Sequence, residues 1–171
     1  MTRWFTADLH LGHANIIEYS SRPFDSVDAM NRALIARWNE VVAGDDEVWM
    51  LGDFALGKIA DTLPLATELA GRKVLLTGNH DRCWPGHGRR AEGWEERYLE
   101  AGFDEIVHGD VTIDVRGHES LAFEKRASTP CMSGSGRRWP GGGSGGRGPA
   151  LVPGPGLGTT TPPWPAVVNA P

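Results

Sequence analysis

Three short β-type runs, each ending in a tight turn that carries an acid or an imidazole, constrain this chain more than any other feature. Trp4-Phe5-Thr6-Ala7 runs into Asp8-Leu9-His10, and Val48-Trp49-Met50-Leu51 into Gly52-Asp53. Lys73-Val74-Leu75-Leu76-Thr77 runs into Gly78-Asn79-His80-Asp81. In an open parallel sheet, ligands bind outside the carboxyl ends of the strands, so three such turns converge on one crevice. That crevice gathers two Asp carboxylates, two imidazoles and an Asn amide, a donor mixture that suits Mn, Fe or Zn.

The segments between these turns have helical spacing. Val27, Met30, Leu34, Trp38 and Val41 fall at the three-and-four intervals of one buried face, after a loop over Asp8 to Asn15. Asp25 or Ser26 is placed to cap that helix, and Gly44 suits a left-handed terminating residue. Thr62 is placed to cap a second helix, with Pro64 in its first turn, Leu65 and Leu69 inward and Gly71 behind. Strand, helix, strand, helix, strand predicts an α/β fold with parallel strands and right-handed crossovers. After a polar loop at 82–93, a short helix from about Gly93 to Ala101 puts Trp94 and Tyr98 on one face, with Gly102 behind it. Glu105 to His108 and Val111 to Val115 read as strands joined by a two-residue hairpin at Gly109-Asp110.

Composition breaks near residue 126. All 22 acidic residues of the 171-residue chain precede the break, against 14 Lys and Arg, a net of −8. An acidic body does not capture nucleic acid by its field, so nucleic acid enters only as a substrate met by local charge or metal. Residues 127–171 hold no acid, 11 of the 23 Gly and 9 of the 12 Pro, without periodicity. A segment like that cannot offset its ordering entropy by burial, so disorder is expected there. Its lack of acid, beside Trp139 and Trp164, favours a reading-frame slip in a GC-rich gene over a natural linker. The expected organisation is a body over 1–126 and a tail over 127–171. Cys83 and Cys131 have no metal or redox spacing and suggest no disulfide framework. No apolar run approaches the roughly 20 residues that span a bilayer, and no signal-peptide core precedes the first strand. A cytoplasmic protein without a membrane partner is expected; nothing in the sequence speaks to oligomeric state.

Asp-x-His, Gly-Asp and Gly-Asn-His-Asp, each behind a strand, resemble the calcineurin-like metallophosphoesterase superfamily. Ala7-Asp8-Leu9-His10-Leu11-Gly12-His13-Ala14-Asn15-Ile16-Ile17 is similar to a small bacterial and phage branch of it. The resemblance covers residues 1 to roughly 120 and implies the N-terminal part of an αββα sandwich. It further implies a hydrolase acting on phosphomonoesters or phosphodiesters. Asp8 and His10 would bind a first metal, Asp53 would bridge two, and Asn79 would offer its amide oxygen to the second. His80 would contact the scissile phosphate and assist the leaving group. The implied cofactors are divalent cations, Mn²⁺ first with Fe or Zn as alternatives, two in the intact site. Such a pair acidifies a water and clamps the attacking and leaving oxygens of an in-line displacement. The family pattern continues with a Ser-His-Tyr-Pro-like run and a closing Gly-His-x-His. This chain has neither, only Gly117-His118 followed by Glu119-Ser120, and no His beyond residue 118. Fewer bound metals and an impaired enzyme are therefore expected.

Each residue has a plainer reading. Asp8 or Asp53 alone is a turn former or helix cap, His10 alone an exposed loop imidazole, Asn79 alone a left-handed turn residue. Asp81 fits a backbone-orienting role better than a metal ligand. His13 takes no assigned chemistry beyond a helix-entry contact. His87, Arg89 and Arg90 could meet phosphate, but a solvated loop is the preferred reading. Two rival functions remain. Gly52 to Ile59 nearly matches a phosphate loop, although Ile59 lacks the hydroxyl for Mg²⁺ and Asp53 would repel phosphate. The other rival is a non-catalytic remnant with one weak metal position.

Overall fold

The computed structural model describes residues 1–113, 121–123 and 168–170, all within one compact unit. Its centre is a five-stranded sheet of mixed α/β type. β1 (Arg3–Thr6), β2 (Glu47–Met50), β3 (Arg72–Leu76) and β4 (Glu105–Val107) pair in succession and in parallel. Each strand is added on the same side of the last, so right-handed crossovers carry their helices onto a common face.

That face is apolar because alternate strand residues supply it. Trp4, Val48, Met50, Leu75 and Ile106 belong to one cluster with α2 (Val27–Val41), the segment Leu63–Glu68 and α4 (Trp94–Glu100). Ser26 caps α2, accepting the Ala29 N–H at 3.1 Å. The inward residues of α2 are Met30, Leu34, Ile35 and Trp38. Val41, expected inside, is 46% exposed, and Ile35 takes its place. Trp38 also donates its indole N–H to the Ala70 carbonyl at 2.9 Å, fixing the helix to the turn before β3. The opposite sheet face is buried too, at Phe5, Val74 and Leu76, as a parallel sheet requires. At the amino ends of the strands, Arg3 and Arg72 both pair with Glu47, and Arg72 continues to Glu105. That ladder lies opposite the carboxyl ends, where the three turns emerge.

Four local expectations are corrected. Gly44 is not left-handed; α2 ends in extended geometry at Val42, whose N–H still reaches the Trp38 carbonyl. Ala14–Tyr19 forms a short helix, α1, inside the stretch expected to begin as loop. Thr62 does not cap a helix: α3 (Ile59–Thr62) starts three residues earlier and runs into a 3₁₀ segment, Leu63–Glu68, through Pro64. The Thr62 hydroxyl instead donates to the carbonyls of Leu56 and Lys58. Finally, Gly109-Asp110 does not fold β4 onto the next strand. β4 fills the open edge of β3, where Asp104 N–H donates to Lys73 O and Thr77 N–H to Val107 O. β5 (Val111–Ile113) pairs antiparallel with β6 (Leu121–Phe123) in a separate two-stranded sheet. Gly109, at φ +76°, passes the chain between sheets.

Most of the expected tail lies outside the described residues, as do the segment from 114 to 120 and Cys131. The exception is β7 (Val168–Ala170), which pairs antiparallel with β1. No helix among the described residues is long and apolar enough to cross a membrane.

Candidate metal centre

Register explains why the three turns meet. Thr6, Met50 and Leu75 stand in one row across β1, β2 and β3. Asp8, Asp53 and Asn79 lie just beyond that row on their own strands. Past the strand ends the first two turns stay zipped together. Asp8 N–H donates to Gly52 O at 3.1 Å, His10 N–H to Asp53 O at 3.0 Å, and Leu11 N–H to Phe54 O at 2.9 Å. The third turn docks through the absence of a side chain. A Cβ at Gly78 would overlap the Asp53 carboxylate, and one at Gly52 would sit 2.8 Å from Gly78 Cα.

Asp8, His10 and Asp53 each present a donor atom, all within 4.8 Å of one another. Asp8 faces solvent, whereas His10 and Asp53 are buried. His10 Nε2 lies 3.7 Å from Asp8 Oδ1, while His10 Nδ1 is buried with no hydrogen-bond partner among the described residues. Asp53 Oδ1 accepts the His80 backbone N–H at 3.0 Å, tying the third turn to the same carboxylate. Two carboxylates and an imidazole converging on one point fit a divalent metal ion. The donor set does not select which metal. Asn79 and His80 line a cavity of about 200 Å³, and the His80 ring stands 5.9 Å from that of His10.

The backbone here is held in an uncommon conformation. Asp8, His10 and Asp53 all have φ +54°, and Ser21 is the other non-glycine residue with positive φ among the described residues. Asp and His tolerate the left-handed region better than most residues, but three such positions in one cluster need support from their surroundings. Two buried side chains provide it. Arg22 donates from Nη2 to Asp8 O at 3.0 Å and from Nη1 to Leu9 O at 2.9 Å. Asp81, fully buried, accepts three backbone N–H groups: Asp53 at 2.9 Å, Phe54 at 3.0 Å and Gly78 at 2.6 Å. Burial pushes the Asp81 carboxyl up to about 6, reinforced by the Asp53 charge and opposed by those N–H groups.

Asp81 thus has the backbone-orienting role expected of it. Asn79 is not left-handed, which removes its plainer reading. The geometry counts against the phosphate-loop alternative: the N–H groups of Asp53 and Phe54 face the Asp81 carboxylate, and that of Leu56 donates to Leu11 O. Arg89 and Arg90 are exposed and off the cavity, but His87 lines it beside Arg82. His13 precedes α1 without a side-chain cap bond. Its ring stands 5.5 Å from that of His10, and burial, then His10 and His80, lower its pKa. Arg22 escapes sequence reasoning because no spacing or motif marks a residue that acts on backbone carbonyls.

Fold and site together define an α/β protein with a candidate metal group at the carboxyl ends of a parallel sheet. No family model matches the chain. An uncharacterized protein of Methanocaldococcus jannaschii is 43% identical over 81 residues, 46% of this chain and 46% of that protein. The gene 66 proteins of Mycobacterium phages L5 and D29 are 40% and 41% identical over 85 residues, 48% of this chain and 41% of each. The chain therefore spans less than half the length of these relatives. A protein of unknown function from Aquifex aeolicus shares the fold, with a TM-score of 0.56 at 24% identity over 77% of this chain and 64% of that one.

Proposed function

We propose that the chain is the N-terminal part of a calcineurin-like metallophosphoesterase sandwich and that its site serves metal-dependent hydrolysis of a phosphomonoester or phosphodiester. The observation that carries this reading is the convergence of the Asp8, His10 and Asp53 donors within 4.8 Å, with Asn79 and His80 on the adjoining cavity. Burial on both faces of the parallel sheet supports the sandwich. A divalent cation, Mn²⁺ in the first instance, would be held by Asp8, His10 and Asp53. When bound it supplies positive charge to phosphoryl oxygens and acidifies water. Asp53 and Asn79 would hold a second cation.

The remaining roles belong to the protein. Asp81 and Arg22 keep the two carboxylate turns in their strained geometry. His80 lines the cavity where a leaving group would depart. As the water oxygen bonds to phosphorus and the ester P–O bond breaks, the leaving oxygen would keep the electron pair and take a proton by way of the His80 ring, while the proton given up by the attacking water passes to solvent. The motifs that complete both metal sites in the family are not in this sequence. Water would fill those positions, so at most one cation is held, weakly, and turnover is low, because two-metal catalysis needs both ions fixed. The test is Mn²⁺ binding and hydrolysis of an aryl phosphodiester by purified chain, with Asp53→Asn beside it. Weak Mn²⁺ binding and slight turnover, both abolished by Asp53→Asn, are expected. Binding without any turnover would leave the non-catalytic remnant.

A further inference from the structure

The cavity beside Asn79 and His80 has a second wall that the reaction does not use. Arg82 and His87 line it, opposite Ala55, Leu56, Gly57 and Ile59. The body of this protein is strongly acidic, yet Arg82 is exposed and its guanidinium makes no ion pair among the described residues. A free guanidinium within reach of a candidate phosphate site is suited to bidentate anion recognition.

The loop that carries these two residues is built, not loose. Arg82 N–H donates to the buried Tyr98 hydroxyl at 3.1 Å, and Cys83 behind it is buried. Trp84 N–H then reaches Asp81 O, and His87 N–H reaches Trp84 O, each at 3.0 Å. The His87 ring stands edge-on to Trp84 with centroids 5.3 Å apart. Gly86 is required there, since a Cβ would overlap the Trp84 ring. Asp81 thus orients the Asp53 backbone, and Tyr98 anchors the Arg82 backbone at the start of this loop.

We propose that this cavity is the leaving-group subsite and that Arg82 and His87 bind a second anionic group carried by the substrate. The inference rests on the phosphoesterase reading and narrows its substrate class to small phosphoanhydrides and bisphosphates. Volume agrees: about 200 Å³ is below the roughly 300–1,000 Å³ of pockets for drug-sized ligands. One wall is apolar and uncharged, so the second charge is met from the Arg82 side alone.

The test uses the metal-free full chain titrated with inorganic pyrophosphate and with orthophosphate, and separately with Mn²⁺. Wild type should bind pyrophosphate more tightly than orthophosphate. Arg82→Ala should weaken pyrophosphate about tenfold or more, the usual worth of a hydrogen bond to a charged group. Arg82→Lys should recover part of it, since a point charge replaces the planar fork. His87→Gln should weaken pyrophosphate without changing orthophosphate, and none of these variants should alter Mn²⁺ binding. Equal affinity for the two anions, or pyrophosphate binding unchanged in Arg82→Ala, would overturn the subsite while leaving an Asp53-dependent Mn²⁺ site intact. Arg82-dependent pyrophosphate binding in a chain that takes no Mn²⁺ would uphold anion binding by Arg82 and overturn both the metal reading and the leaving-group assignment.

Discussion

The Asp81 carboxylate receives the backbone N–H of Asp53 at 2.9 Å, so the acid at the end of the third turn positions the acid at the end of the second. It also takes the N–H groups of Phe54 and Gly78. Removing a buried acceptor leaves each donor unsatisfied at about 1–3 kcal/mol, although the three do not add fully. Asp81→Ala should lower unfolding free energy by about 3 kcal/mol or more in a urea titration. It should also weaken Mn²⁺ although Asp81 is not a ligand. Stability equal to wild type would show that these hydrogen bonds are replaced.

Gly78→Ala tests the close approach of the second and third turns. The added methyl would overlap Asp53 Oδ1 and lie 2.5 Å from Asp53 N, and the neighbouring atoms are held by Asp81. Asp53 must move, so Mn²⁺ affinity should fall by at least tenfold by calorimetric titration. A Gly44→Ala control, where nothing lies within 4 Å of the added Cβ, should bind Mn²⁺ as wild type does.

Much of this arrangement is legible in the sequence, for physical reasons that differ by element. β1, β2 and β3 are visible because both sheet faces are buried and their runs are nearly all apolar. α2 is visible because one face repeats every three to four residues. Asp8, His10 and Asp53 stand out because each follows a strand directly. The hairpin expected at Gly109-Asp110 rests on a local turn signal, which loses to the vacant edge of β3. Thr62 misleads similarly: its hydroxyl donates back to the carbonyls of Leu56 and Lys58 instead of capping the segment ahead of it. Arg22 and Arg82 are invisible for another reason. Each works through groups brought near only by the completed fold.

Asp46 gives a pH dependence away from the site. Its carboxylate accepts the Trp4 indole N–H at 3.0 Å and the backbone N–H groups of Thr2 and Ala43. These bonds hold its pKa down to about 2, the Trp4 bond first among them. A depressed acid stabilises the fold above its unfolded pKa near 4 and loses that contribution as pH falls toward 2. The melting temperature of the wild type should therefore drop between pH 4 and pH 2 more steeply than that of Asp46→Asn. Parallel curves would contradict this.

His80 is argued to meet the substrate more than the metal. Its backbone holds Asp53 Oδ1 and its side chain lines the cavity. His80→Ala should lower kcat by roughly 10²–10⁴-fold where turnover is measurable, the usual contribution of a general acid. Mn²⁺ content should stay near wild type. A variant that loses its metal would move His80 into the ligand set.

The most direct test of the metal centre is a Mn²⁺ titration of the purified full chain, of verified mass, against Asp53→Asn. At most one weakly held ion per chain is expected in the wild type and none in the variant. Two tightly bound ions with Asp53-dependent turnover, or Mn²⁺ binding that survives Asp53→Asn unchanged, would contradict that.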